Sequence, residues 1–224
     1  MSAYLFGCAR SAGSLSLRLA GRDIPVPQAF RHGEDIPLKV LLVYGTSEGQ
    51  TYKIARFLAA RMVQNGHRVL TADCSDASVL PDPGTFDAVL LAASVHAGRY
   101  QSAVIDFVRQ NREAIRARRN AFLSISLSAA ASEAADRAGL QRCVEQFERR
   151  TGWTPQRVHH AAGALRYSAY GLLTRWMMKR IARRRGGPTD TRRDYELTDW
   201  NDLAKFADEF TGPETPPVRA PTAA

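Results

Sequence analysis

The sequence predicts an α/β fold, a doubly wound five-stranded parallel sheet, and three observations carry that prediction. Short apolar runs alternate with longer segments of helical periodicity; the runs are apolar throughout rather than at every second position; and the first of them empties into glycine and hydroxyl residues. Strands covered on both faces read as continuous apolar runs, and parallel pairing demands helical crossovers between them.

The first run, Val40-Leu41-Leu42-Val43-Tyr44, follows Lys39 and leads into Gly45-Thr46-Ser47-Glu48-Gly49-Gln50-Thr51. Beyond it, Ile54, Phe57, Leu58 and Met62 recur at helical spacing, so strand, tight turn and helix start fall together. Residues 67–72 read as a short strand and 86–93 as a buried one. A helix is predicted over 101–119, a strand over 120–126, and a further helix over 134–149 with Leu140, Val144 and Phe147 on one side. A last strand at 157–162 precedes a basic segment, and 199–210 reads as the closing helix. Five strands in this alternation suit a flavodoxin-like order, with a basic helical insertion (163–195) after the fifth strand.

The segments outside 38–212 carry Pro, Ser, Thr and Ala without sustained periodicity, so 1–37 and 213–224 are expected to be disordered extensions outside the core. The first 22 residues contain no acidic side chain and loosely resemble a transit peptide, an expectation that competes with a disordered extension or a mis-assigned start. Cys8, Cys74 and Cys143 are widely spaced and odd in number, which argues against a disulfide framework or a zinc cluster and for a reducing cytosol. No metal site is expected. No apolar stretch reaches the roughly 18 residues that cross a bilayer.

The chemistry of the first turn points to an anion. Backbone N–H groups that open a helix lack internal partners, and the helix dipole places partial positive charge there, so a phosphate can bind without a cationic side chain. Thr46, Ser47 and Thr51 add hydroxyls, and Gly49 permits a close turn or a positive φ. The run lacks the lysine of a Walker loop and the three spaced glycines of a dinucleotide fingerprint, which disfavours ATP and NAD. A mononucleotide such as FMN fits better; an ordinary capped turn is the alternative.

Ligands of open parallel sheets lie beyond the carboxyl ends of the strands, where the connections diverge. Three loops are expected to meet there: 46–51, the run Ser94-Val95-His96-Ala97-Gly98-Arg99-Tyr100, and Leu127-Ser128-Ala129-Ala130. In the second, Tyr100 or His96 could flank a flat ring while Gly98 gives backbone access.

These loops and the region after the fifth strand resemble the flavodoxin-fold, quinone-dependent (menaquinone-dependent) protoporphyrinogen IX dehydrogenases of bacterial haem synthesis. The resemblance rests on Glu48-Gly49-Gln50-Thr51, on Ala93-Ser94 followed by Gly98 and Tyr100, and on Trp153-Thr154-Pro155. It continues through Ala162-Gly163-Ala164-Leu165-Arg166-Tyr167, Gly186-Gly187-Pro188-Thr189-Asp190-Thr191-Arg192 and Thr198-Asp199-Trp200. It implies an FMN enzyme that removes hydrogen from protoporphyrinogen IX and delivers electrons to menaquinone or ubiquinone. Thr46, Ser47, Gly49, Gln50 and Thr51 would then hold the phosphate, with Glu48 in the same cofactor-binding loop, and Ser94 to Tyr100 with Leu127 to Ala129 would border the isoalloxazine. The flavin supplies the redox chemistry, and no catalytic side chain is singled out. A flavodoxin-like quinone reductase with another donor and a non-enzymatic electron-transfer module remain alternatives.

The net charge is +9, and between Gly163 and Arg193 nine Arg or Lys residues face a single acidic one, Asp190. Within 169–185 the apolar residues Tyr170, Leu173, Trp176, Met177 and Ile181 share one helical face, with Lys179 and Arg183 projecting away and Arg180 and Arg184 near its border. Such a helix suits peripheral contact with an anionic membrane through Trp176, Lys179, Arg180, Arg183, Arg184 and Arg185, on the cytoplasmic face of the cell membrane. No nucleic-acid module accompanies the cluster, so no nucleic acid is expected, and a homo-oligomer is compatible with the reading.

Overall fold

The computed structural model describes residues 16–19, 22–25, 36–76, 80–96, 98–130, 134–165 and 190–213. The chain divides into two compact units, Met1–Asp35 and Ile36–Ala224. In the first, strands β1 (Ser16–Leu19) and β2 (Arg22–Pro25) pair antiparallel. The pair lies within the segment expected to be a disordered extension. Strands of four residues are too short to display a period, which is why composition dominated the reading.

The second unit is built on β3 (Lys39–Gly45), α1 (Gln50–Gln64), β4 (Arg68–Asp73), β5 (Ala88–Ser94), α2 (Ser102–Arg116), β6 (Arg119–Ser126), α3 (Ala134–Thr151) and β7 (Val158–Ala162). A short antiparallel pair, β8 (Ala164–Leu165) with β9 (Tyr195–Glu196), precedes α4 (Trp200–Thr211). The five long strands form one parallel sheet in the order β4-β3-β5-β6-β7. The order reverses between β3 and β5, and that is where an open sheet leaves a crevice beyond its strand ends. Among the described residues, no helix is long and apolar enough to cross a membrane.

Successive side chains of a strand point to opposite faces, so each buried strand feeds two cores. Val40, Leu42, Leu90, Leu123 and Ile125 pack with Ile54, Leu58 and Met62 of α1 and Leu203, Phe206 and Phe210 of α4. Leu41, Val43, Val89, Leu91 and Phe122 pack with Val104, Ile105, Phe107 and Val108 of α2, and with Val144, Phe147 and Trp153. The central strands β3, β5 and β6 are almost wholly buried, whereas the edge strand β4 is mostly exposed and leaves Leu70 49% accessible. Arg61 clamps α1 to α4 with Nε and Nη2 each 2.7 Å from a carboxylate oxygen of Asp208.

Helix α4 starts as a conventionally capped helix: the Asp199 carboxylate accepts from the N–H groups of Asn201 and Asp202, both at 3.0 Å. The two helices that start at the switch point do not. Gly49 before α1 has no side chain to cap with, and Gln101 before α2 makes no capping bond.

Candidate functional site

The turn after β3 is held by its own atoms. Gly49 adopts φ 83°, ψ −9°, a left-handed conformation natural to glycine, and its N–H donates to Thr46 Oγ1 at 2.9 Å. The first helical hydrogen bond of α1 runs from Lys53 N–H to the Gly49 carbonyl at 3.2 Å. The N–H groups of Gln50, Thr51 and Tyr52 precede it and point out of the helix start, as helix geometry requires. Lys53 does not serve the turn, because its ammonium lies 2.6 Å from Glu196, whose carboxyl this hydrogen bond holds below the usual carboxylate range. An anion here would be bound by amides and hydroxyls.

Thr51 fits that role. Its residue is 1% exposed, and its Oγ1 is buried without a hydrogen-bond partner. Buried hydroxyls are seldom left unpaired, and one in the first turn of a helix with open N–H groups is complementary to a phosphate oxygen. Gln50 also anchors the turn. Its Nε2 donates to Thr198 Oγ1 at 2.9 Å and reaches Glu196 Oε1 at 3.4 Å, while Thr198 in turn donates to the Ala162 carbonyl at 2.9 Å. The Gln50 carboxamide thus braces the turn to the end of β7, and its backbone N–H stays among those that open the helix.

The second loop leaves β5 at Ser94 and folds back on itself. His96 N–H donates to the Arg99 carbonyl at 2.8 Å and Arg99 N–H to the His96 carbonyl at 3.0 Å, with Gly98 at φ 77°. Val95 is half-buried, and His96, Gly98 and Arg99 are exposed, while Ala97 lies outside the described residues. Tyr100 ends the loop inside the core. It is 6% exposed, its hydroxyl lies 2.8 Å from Ser124 Oγ, and its ring packs edge-on against Phe122 and Phe147. Burial pushes its phenol pKa up.

The third loop, Leu127 to Ala130, is a 3₁₀ turn beyond β6. Ser126 Oγ accepts from Ala129 N–H at 3.2 Å, and Leu127, Ser128 and Ala129 are half-buried. All three loops lie at carboxyl ends of adjacent strands, and Thr46, Ser47, Glu48 and Gly49 occupy the first. Trp176, Lys179, Arg180, Arg183, Arg184 and Arg185 lie outside the described residues.

Two contributors escaped the sequence reading. Gln101 Nε2 donates to Ser47 Oγ at 3.1 Å and to Ser94 Oγ at 2.7 Å, tying the first loop to the second. Gly45 makes room for it: a Cβ there would meet Val104 Cγ2 at 2.4 Å and Gln101 Oε1 at 3.2 Å. The glycine at the end of the strand was the available signal.

Comparison with known proteins places the chain in a family. The family model for the flavodoxin domain matches residues 41–192. The protoporphyrinogen IX dehydrogenase [quinone] of Escherichia coli strain K12 is 33% identical over 175 residues, spanning 77% of this chain and 94% of that protein. The Leishmania major protein of the same name is 31% identical, spanning 77% of this chain and 74% of its own length. Oxidised flavodoxin 1 from Bacillus cereus is 13% identical with a TM-score of 0.45, over 77% of this chain and 96% of that one. The chain belongs to the flavodoxin-domain family of quinone-dependent protoporphyrinogen IX dehydrogenases.

Proposed function

We propose that this chain is an FMN-dependent oxidoreductase that oxidises protoporphyrinogen IX to protoporphyrin IX and passes the electrons to a quinone. The observation that carries the reading is the buried, unpartnered Thr51 hydroxyl beside the open N–H groups of α1, at the point where strand order reverses. The names of the relatives support the substrate and the acceptor. When bound, FMN supplies the acceptance of hydrogen from the porphyrinogen and its release as electrons to the quinone.

The protein's own residues do the rest. The N–H groups of Gln50, Thr51 and Tyr52 and the hydroxyls of Ser47 and Thr51 hold the phosphate. Thr46 fixes the turn by accepting from Gly49. Ser94, Val95, His96, Ala97, Gly98 and Arg99, with Leu127, Ser128 and Ala129, border the ring; the Gln50 side chain and Tyr100 support these walls from behind. These roles lie within residues 38–212, which we assign as the functional domain, with 1–37 and 213–224 outside it.

Anaerobic mixing of FMN-loaded protein with protoporphyrinogen IX tests the reading. The flavin absorbance should bleach, and added quinone should restore it while porphyrin fluorescence grows. An oxidised flavin that stays oxidised refutes the substrate; failure to bind FMN refutes the reading as a whole.

We further propose peripheral attachment to the inner face of an anionic membrane through Trp176, Lys179, Arg180, Arg183, Arg184 and Arg185, supported by the run of nine basic residues against one acidic residue between Gly163 and Arg193. Sedimentation with anionic vesicles should fall when the three consecutive arginines become glutamine. Equal sedimentation of both proteins refutes the attachment.

A further inference from the structure

Gln101 stands at the cap position of α2, yet its carboxamide is spent elsewhere. Both hydrogens of Nε2 are engaged, one on Ser47 Oγ in the first loop and one on Ser94 Oγ at the end of β5. A serine hydroxyl that accepts at its oxygen keeps its single proton for another acceptor. Ser47 is exposed in the turn ahead of α1, and Ser94 lies where the second loop begins. We propose that Gln101 is a positioning residue that turns the Ser47 and Ser94 hydroxyl protons toward bound FMN, linking the grip on the phosphate to the placement of the ring loop. The inference rests on the FMN reading above.

The seat of the carboxamide explains why orientation matters. Gln101 Oε1 is buried without a hydrogen-bond partner and lies against Gly45, where a Cβ would come within 3.2 Å of it. A reversed carboxamide would place its oxygen toward the two serines, draw their protons inward, and leave the N–H groups unpartnered in that same seat. Each orientation strands one polar group, so the seat alone favours neither strongly. An anion in the turn tips the balance: it accepts the proton of Ser47 and so favours the arrangement in which Gln101 donates. Binding of the anion at one loop is thereby read at Ser94 in the next.

A double-mutant cycle with two ligands tests this. FMN and riboflavin, which lacks the phosphate, are titrated by quenching of flavin fluorescence into wild type, Q101M, S47A and Q101M/S47A. Methionine matches the length of glutamine without its donors. Q101M should weaken FMN about tenfold and riboflavin less than about threefold, the loss of one charge-assisted hydrogen bond. The double variant should bind FMN no more weakly than S47A by a further factor above about two, because both substitutions remove the same interaction. Equal losses for both ligands, additive losses in the cycle, or an unchanged Q101M each overturn the proposal. If Q101M fails to fold by circular dichroism, Q101E replaces it. Its carboxylate cannot donate to Ser47, so FMN should again lose more than riboflavin, and equal losses again refute. Wild type that binds no FMN refutes this inference and the proposed function together; wild type that binds FMN beside an unchanged Q101M refutes this inference alone.

Discussion

Replacing Gly49 with valine puts the turn under a strain whose size follows from its backbone. An ordinary L residue at φ 83° is in the left-handed region, at a cost of about 1–2 kcal/mol, and β-branching places valine at the upper end. The turn cannot relax for nothing, because opening it breaks the 2.9 Å bond from Gly49 N–H to Thr46 Oγ1, worth roughly 1 kcal/mol. In the free protein the variant settles for the lesser cost, and FMN must then restore the closed turn. The FMN dissociation constant should therefore rise by about fivefold, the equivalent of the roughly 1 kcal/mol by which the valine strain exceeds the cost of opening the turn. The melting temperature should fall by roughly 2–4 °C, at about 2–4 °C per kcal/mol for a domain of this size. Gly49→Asn serves as the control, since asparagine tolerates the left-handed region and should lose much less. Titration of both variants with FMN, followed by flavin fluorescence, measures the ratio. Equal affinity of the valine variant and wild type would show that the closed turn is not the binding conformation.

Three other outcomes follow. Gly45→Ala forces a methyl to 2.4 Å from Val104 Cγ2, so it should destabilise the protein by about 1–3 kcal/mol in urea unfolding, and Val104→Ala in the same chain should recover part of the loss. His160 is held below its usual pKa, first by burial and then by His159, so the unfolded chain takes up the proton first. Its contribution is present above the unfolded histidine pKa and is lost as pH falls toward the lower folded value; the unfolding midpoint should drop as pH falls through about 6.5 and below, and His160→Gln should flatten that slope. The Asp208 carboxyl is lowered chiefly by its hydrogen bond from Arg61, but both side chains are more than a third exposed. Asp208→Asn should therefore cost no more than about 1 kcal/mol and lose its effect in high salt, and a larger, salt-independent loss in urea titrations contradicts the surface assignment.

The core strands were legible because β3, β5 and β6 bury both faces, so their residues need not alternate. The turn at 45–51 was legible for a related reason: glycine and hydroxyl residues directly after such a run have few uses other than a tight strand-to-helix passage. What the sequence concealed depends on partners distant along the chain. Tyr100 stands close to a loop glycine, and nothing near it in sequence announces that Phe122, Ser124 and Phe147 converge on it. Gln50 reads as part of the phosphate turn, and the bond from its carboxamide to Thr198, far along the chain, is not visible there. Gln101 reads as a polar residue at a helix start, and only the pairing of β3 with β5 brings Ser47 and Ser94 within its reach. Two-residue strands such as β8 and β9 carry too little pattern to be seen.

Calorimetric titration of the purified, flavin-free protein with FMN, beside the Thr51→Val variant, addresses the central claim most directly. The account predicts saturable, stoichiometric binding with the visible spectrum of a bound flavin, and affinity about tenfold weaker once the Thr51 hydroxyl is removed. A protein that binds no FMN, or binds it equally well without that hydroxyl, would contradict it.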